Sequence, residues 1–504
     1  MTKFLKKNNG NKTRFPKLNK EYWLLLLIFI ITISFQLFFT LQTPNLSNSE
    51  SYYNIRQVEH ISETGKPLYY DTLSYGGRQN ITPPLFYYLL VFFNSSPIVL
   101  KIIPIILIST LVFIVYGISF HITKNIKASL LSSLIASFIP ILYTQTLNKI
   151  SIHSITLPLF FFMIYCMLKV DESKKYIDYF FVLSFLLPLI NPIAFLIPIS
   201  FAFFIVLTNT EYVGVSSRKK ELILFSFLLI FLIEFVIYKE AFLKHGARFI
   251  WQNTPPQILD MFFTNVNIFD TILTIGILPA ILGFIAVVYT SFKLKKEPYL
   301  ILSSVLLSVF LLLMLKLITL SLGLTLLGIT LTIFSSFSIY KFFLYFSKTK
   351  LHKHHKQVLI IFIGLVLLLS FIPSYVNANN ITKDSFAEEE IEDIKWIRDN
   401  TDKEDVILAP LEYGSLINTI AKRKNVIDDN FLLAPSPEQR LGDVDQVYLT
   451  PFETKALEVT DKYNVKYIYF PDRAKQGYQI ENIVYVRDGK CFNEIKPRII
   501  KVLC

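Results

Sequence analysis

The run Glu50-Ser51-Tyr52-Tyr53-Asn54-Ile55-Arg56 puts a carboxylate, two aromatic rings and a guanidinium into one short stretch. A carboxylate can hold a hard divalent cation or orient an attacking nucleophile, and a guanidinium can fork onto phosphate oxygens. Transfer of a group away from a phosphate needs help of this kind, because the departing charge must be stabilised. Glu50 is therefore the candidate catalytic residue and the candidate ligand for a Mg or Mn ion. The alternative is a solvated loop acid. Arg56 is a candidate donor-phosphate ligand, or it pairs with Glu59 or Glu63. Tyr52 and Tyr53 read as interfacial aromatics or as sugar platforms.

Two more basic positions suit a phosphate. Tyr75-Gly76-Gly77-Arg78 precedes Pro83-Pro84. Its glycines permit close backbone approach, and Arg78 would hold a donor phosphate or anchor a turn to headgroups. Lys244, His245 and Arg248 form a basic cluster, in which Arg248 would meet a donor phosphate or anionic lipid. Glu234 sits in an apolar run, where a carboxylate is functional by default or pairs with Lys239.

These residues need a scaffold, and composition names it. Hydrophobic residues make up 53% and charged residues 17% of 504. Apolar runs of about 20 residues recur, as in a polytopic α-helical membrane protein. The net charge of +12 does not indicate nucleic acid. Its lysines and arginines cluster between apolar runs, as the positive-inside pattern requires, with no basic motif interleaved with aromatics. Lys3, Lys6, Lys7, Lys12, Arg14, Lys17 and Lys20 precede the first span, which reads as an uncleaved anchor with its N-terminus inside. The expected spans are 22–41, 98–120, 128–147, 152–170, 176–190, 193–207, 222–238, 272–289, 299–315, 318–340 and 358–371, about eleven in all. Spans 176–190 and 193–207 meet at Asn191-Pro192 as a tight hairpin. An odd count leaves the tail outside. The expected division is a membrane domain, 1–374, carrying an external first loop, 42–82, and an extracytoplasmic α/β domain, 375–504.

The tail is charged and mixed. Ser385 followed by Glu388 predicts a capped helix running toward Trp396. Residues 406–408 and 465–470 predict strands, and 452–463 a helix between them. Asp488-Gly489 predicts a hairpin turn. Cys491 and Cys504 flank that hairpin, and a bond between them stays open because sequence does not fix their separation. With Cys166 they are too few for a disulfide framework or metal cluster.

The motifs resemble a known family. Glu50-x-Tyr52-Tyr53-x-x-Arg56 resembles the first external loop of the STT3-like oligosaccharyltransferases, within the membrane glycosyltransferase superfamily of C type. That loop typically reads Asp-x-Tyr-Tyr-x-x-Arg. In the tail, Trp396-Ile397, Asn400-Thr401, Pro410-Leu411-Glu412-Tyr413-Gly414, Ile417, Arg423 and Asp428 resemble the segment around the family's Trp-Trp-Asp-Tyr-Gly motif. The segment Tyr463-Asn464-Val465-Lys466-Tyr467-Ile468 fits the family's later helix-to-strand passage. The resemblance implies a polyprenyl-phosphate sugar donor, a divalent cation, and acceptor recognition by Glu412 and Tyr413. Read from the residues alone, that loop could equally pack the tail on the membrane domain. Two departures are plain. Pro410 and Leu411 replace both tryptophans, so an Asn-x-Ser/Thr peptide is not the expected acceptor. The second external loop, Thr146-Leu147-Asn148-Lys149-Ile150-Ser151, has no acid where the family has a metal-binding acidic pair.

Three functions compete on this reading. The first is a cell-membrane glycosyltransferase using a polyprenyl-linked sugar on the outer face, in contact with membrane lipids. The second is a noncatalytic relative binding glycolipid or partner proteins. The third is a secondary transporter, against which stand the few intramembrane charges and the lack of an inverted repeat.

Overall fold

The computed structural model describes residues 20–93, 96–263, 267–488 and 490–504. The basic residues from Lys3 to Lys17, and Gly489, lie outside the described residues. Helices dominate, and the chain is an integral membrane protein. Among the described residues, seven helices are long and apolar enough to cross a membrane, nine if each of two bent pairs is one span. All eleven expected runs fall on helices. Two of them are His153–Lys169, of 17 residues, and Lys174–Leu186, of 13. Both are shorter than the roughly 20 residues a bilayer requires.

The two bent pairs have identifiable causes. Ile126–Ser137 and Pro140–Thr146 meet at 51°, and Ile268–Ile275 and Pro279–Leu294 at 97°. Each second helix starts with proline, which cannot continue the preceding hydrogen-bond ladder. The Asn191-Pro192 turn is capped by the Asn191 side chain, which accepts from the Ile193 N–H at 2.9 Å. Phe180 and Phe201 then meet across the hairpin, with ring centroids 5.9 Å apart.

The first loop is ordered. Helix Ser49–Thr64 ends at Gly65, whose positive φ of 73° lets its N–H reach the Ile61 carbonyl. Ser51, Asn54, Val58 and Ile61 lie at helical spacing and are buried. A two-stranded ribbon follows, β1 (Tyr70–Asp71) antiparallel to β2 (Arg78–Gln79). Its tip carries Tyr75, Gly76 and Gly77 at φ of 54°, 74° and 122°. Such angles suit glycine but strain tyrosine, so Tyr75 needs external support. Its N–H donates to Asn425 Oδ1 at 2.7 Å and its hydroxyl to the Asp428 carbonyl at 2.6 Å.

The tail is an α/β unit. Its strands are β3 (Val406–Leu408), β4 (Lys424–Asn425), β5 (Val465–Tyr469), β6 (Phe492–Lys496) and β7 (Ile499–Val502), in sheet order β4-β3-β5-β7-β6. β3 runs parallel to β4 and β5; β7 runs antiparallel to β5 and β6. Helix Glu453–Tyr463 leads into β5, as expected from sequence. The expected domain boundary at 374/375 falls within helix Ile372–Lys383.

Two local expectations are corrected and one open question is answered. The helix before Trp396 is Glu388–Asn400, and Glu390, not a serine, caps it by accepting from the Ala387 N–H at 2.8 Å. Ser385 lies too far upstream, and its hydroxyl instead accepts from Asn148 Nδ2 at 2.9 Å. Asp488 closes the short helix Val484–Asp488, while the hairpin turn lies between β6 and β7, where Arg498 has φ of 73°. The Cys491–Cys504 bond, left open by the sequence, is formed, with Cα atoms 5.0 Å apart.

Candidate active site between the first loop and the tail

The loop 147–151 is stitched to the start of the first-loop helix. The Ser47 N–H donates to the Asn148 carbonyl at 3.1 Å. The Ile150 N–H donates to Ser51 Oγ at 3.0 Å, and Asn54 Nδ2 to the Ile150 carbonyl at 2.7 Å. Asn148 holds a left-handed φ of 51° and donates through Nδ2 to the Asn45 carbonyl at 2.8 Å. These bonds bracket Lys149 on one strand of chain and Glu50 on the other. The Lys149 ammonium donates to the Thr144 carbonyl at 2.6 Å.

Glu50 faces open space and is not packed. Protein nevertheless surrounds that space closely enough for burial to push the Glu50 pKa up, with the Lys149 charge opposing. Glu50 is thus reachable by solvent yet closely surrounded by protein, and the space it faces is the candidate cleft. Burial pushes Lys149 down, with Glu50 opposing. Each charge thus partly offsets the burial that disfavours its neighbour's ionised form.

The opposite wall comes from the tail. Asp429 is likewise open to the cleft. Burial first, then Asp428, then Glu50 push its carboxyl up to about 7. Glu50 and Asp429 therefore lie within electrostatic reach of one another. Ser415 Oγ donates to Asp429 Oδ1 at 3.1 Å. Tyr53 stands nearby; its hydroxyl donates to Asn80 Oδ1 at 3.0 Å, and burial pushes its phenol up to about 12. Asn80 also accepts from Asn430 Nδ2 at 3.3 Å.

The arginines are placed differently from expectation. Arg56 pairs with neither Glu59 nor Glu63. It grips Asp71 at 2.6 and 3.1 Å and donates to the Asn418 carbonyl at 2.8 Å. Arg78 is buried and lies 3.4 Å from Asp428, with its Nε donating to Ser74 Oγ at 2.7 Å. Both guanidiniums are engaged by this chain's own carboxylates and join the first loop to the tail, while the buried Nη1 of Arg78 keeps no hydrogen-bond partner. Arg248 is 65% exposed and lies 3.5 Å from Glu438.

The two acceptor candidates separate. Tyr413 is buried with its hydroxyl on the Glu390 carboxylate, so it packs the tail and does not line the cleft. Glu412 is exposed, close to Tyr478. Gly414 lies against the Ile427 carbonyl and Asp428, where a Cβ would collide. Sequence reasoning missed Asp429, although Asp428 beside it carried the motif. It noted the stretch around Lys149 only for its missing acid.

A divalent cation fits this cleft poorly. Such an ion needs several hard ligands. Among the described residues no three His, Cys, Asp or Glu side chains converge. The charge beside Glu50 is an ammonium, which repels a cation. The expected Mg or Mn site is thereby left with at most two carboxylates, Glu50 and Asp429, too few to hold such an ion.

No protein-family model and no curated protein matches the sequence. Solved structures do match. The oligosaccharyltransferase AglB of Archaeoglobus fulgidus, in complex with an inhibitory peptide and a dolichol-phosphate, superimposes with a TM-score of 0.66 at 14% identity, over 89% of this chain and 69% of that one. ArnT of Cupriavidus metallidurans, bound to undecaprenyl phosphate, does so with a TM-score of 0.56 at 9% identity, over 96% and 97%. The chain shares its fold with these two solved structures. A further structure of the Archaeoglobus oligosaccharyltransferase contains Zn and sulfate, with a TM-score of 0.60 at 15% identity, over 88% of this chain and 67% of that one. At these identities the likeness concerns fold alone.

Proposed function

We propose that this chain is a glycosyltransferase that moves a sugar from a polyprenyl-phosphate donor to a hydroxyl acceptor, with the tail and the cleft on the extracytoplasmic face. The observation that carries this reading is the junction of first loop and tail, closed by Thr419 Oγ1 donating to the Tyr52 carbonyl at 2.9 Å, where two exposed acids from opposite ends of the chain, Glu50 and Asp429, come within electrostatic reach. Two structural neighbours hold a polyprenyl phosphate, which supports the donor class. In the proposed reaction the anomeric carbon–oxygen bond to phosphate breaks, and its electron pair stays on the phosphate oxygen. The acceptor oxygen bonds the anomeric carbon, and its proton passes to a carboxylate of the cleft. Asp429, raised to about 7, is tuned for proton transfer near neutral pH. The eleven-span topology, with the N-terminus inside, is part of the same proposal.

A hydroxyl acceptor fits better than an asparagine sequon. Pro410 is buried and Leu411 packs on the tail core, so neither supplies an indole wall. The test is incubation of the purified protein with radiolabelled polyprenyl-phosphate sugars, with and without an Asn-x-Ser/Thr peptide. Label is expected to leave the lipid phosphate in wild type, with none reaching the peptide. Label that stays on the lipid in every case, with tight glycolipid binding retained, would favour the noncatalytic reading, which the missing acidic pair already suggests.

A further inference from the structure

We propose that Lys149 is a built-in cation, and that its ammonium takes the place of a divalent metal against the donor phosphate. This rests on the donor reading above. The loop geometry carries the argument. Asn148 and Ile150, on either side of Lys149, are hydrogen-bonded to Ser47 and Ser51, on either side of Glu50. Register of this kind brings the Lys149 and Glu50 segments side by side, with the two charges within electrostatic reach of one another. Asn148 adds a second anchor to the tail through Ser385, so the loop has little freedom to withdraw.

An ammonium carries three donors. Lys149 spends one on the Thr144 carbonyl, and the others are available to phosphate oxygens. Asn148 Oδ1 is itself held by Lys101 Nζ at 3.2 Å, which places a second positive charge behind the loop. His153 lies within the electrostatic reach of Lys149, and its buried Nδ1 has no hydrogen-bond partner. A phosphate seated here would meet Lys149 directly and could accept from the His153 ring. Glu50, with no metal to ligate, is free to take the proton of the acceptor hydroxyl. As the anomeric bond breaks, the growing negative charge on the phosphate oxygen is neutralised by an ammonium already in place. A fixed charge in an enclosed cleft costs no reorganisation at that moment.

The test uses the full-length protein in detergent and two soluble probes, farnesyl phosphate and farnesol, with affinities measured by thermophoresis in EDTA and in Mg or Mn. Wild type is expected to prefer farnesyl phosphate by about tenfold or more, with the same affinity in EDTA as in metal. Lys149→Met is expected to reduce farnesyl phosphate to the level of farnesol, and Lys149→Arg to keep most of the preference. A wild-type preference that disappears in EDTA and returns with metal would overturn the proposal. So would a folded Lys149→Met that binds farnesyl phosphate as wild type does. If Lys149→Met does not fold, the wild-type comparison in EDTA still decides. Absence of any phosphate preference in both buffers would remove the donor reading itself, and this inference with it.

Discussion

Arg78 and Asp428, 350 residues apart in sequence, meet in a buried ion pair 3.4 Å across, each side chain 3% exposed. One lies on the first-loop ribbon and the other in the tail. Asp428 also accepts from Ser74 Oγ at 2.6 Å, Asn425 Nδ2 at 3.1 Å and the Asn430 N–H at 3.1 Å. It is the fixed point around which the two walls of the cleft are assembled. Removing one partner of such a pair leaves a buried charge uncompensated, at a cost of about 3–5 kcal/mol. Arg78→Met is therefore expected to lower the thermal unfolding midpoint markedly. Joint replacement with Asp428→Asn is expected to recover part of the loss. Additive losses in the two variants would show that the pair does not couple the domains.

Gly414→Ala tests the approach of the motif loop to the cleft. An added Cβ would collide with the Ile427 carbonyl and come within 2.7 Å of Asp428 Cβ. Backbone atoms cannot rotate away, so the cost is expected at or above the roughly 1–3 kcal/mol of ordinary overpacking. Thermal unfolding measures it. A midpoint equal to wild type would mean that this approach is looser than described.

Asp429 sets a pH dependence whose sign is fixed. Its folded pKa of about 7 lies above the ordinary 3.8. Between those values the folded protein binds more protons than the unfolded chain, so this group makes stability fall as pH rises. Asp429→Asn cannot ionise. It is expected to match wild type near pH 4 and to be the more stable of the two above pH 7. Unfolding midpoints across that range check this, and a constant difference at all pH values would contradict it.

The proposed extracytoplasmic placement of the tail is tested at two features. Cys491 and Cys504 are bonded, which an oxidising compartment permits. Non-reducing mass spectrometry is expected to find the linked peptides, and closing this short loop contributes about 3 kcal/mol in the chain-entropy picture. A cysteine placed at exposed Lys403 is expected to react with an impermeant maleimide on intact cells. Free thiols together with labelling only after lysis would invert the topology.

What was legible in the sequence follows from how far apart the partners are. Apolar runs reveal helices because the signal is local, and residues 406–408 and 452–463 were readable for the same reason. Glu50 was visible because aromatic and basic neighbours sit on the same turn of chain. Arg56 was not placed correctly, because Asp71, its partner, is brought back only by the ribbon. Arg78 and Asp428 are joined by packing that no local pattern encodes. Tyr413 read as a recognition residue from its motif, but the buried Glu390 carboxylate takes its hydroxyl. Lys149 was read as an absence, since its meaning depends on lying beside Glu50 in space.

The most direct test of the whole account is Glu50→Gln, which keeps the shape and removes the charge. Transfer of radiolabel from a polyprenyl-phosphate sugar is measured in purified wild type, Glu50→Gln and the control Glu59→Gln. Glu59 pairs with Lys422 at the surface, away from the cleft. The expected result is a loss of about a hundredfold or more in Glu50→Gln with folding and expression unchanged, and near-wild-type transfer in Glu59→Gln. A Glu50→Gln protein as active as wild type would contradict the account.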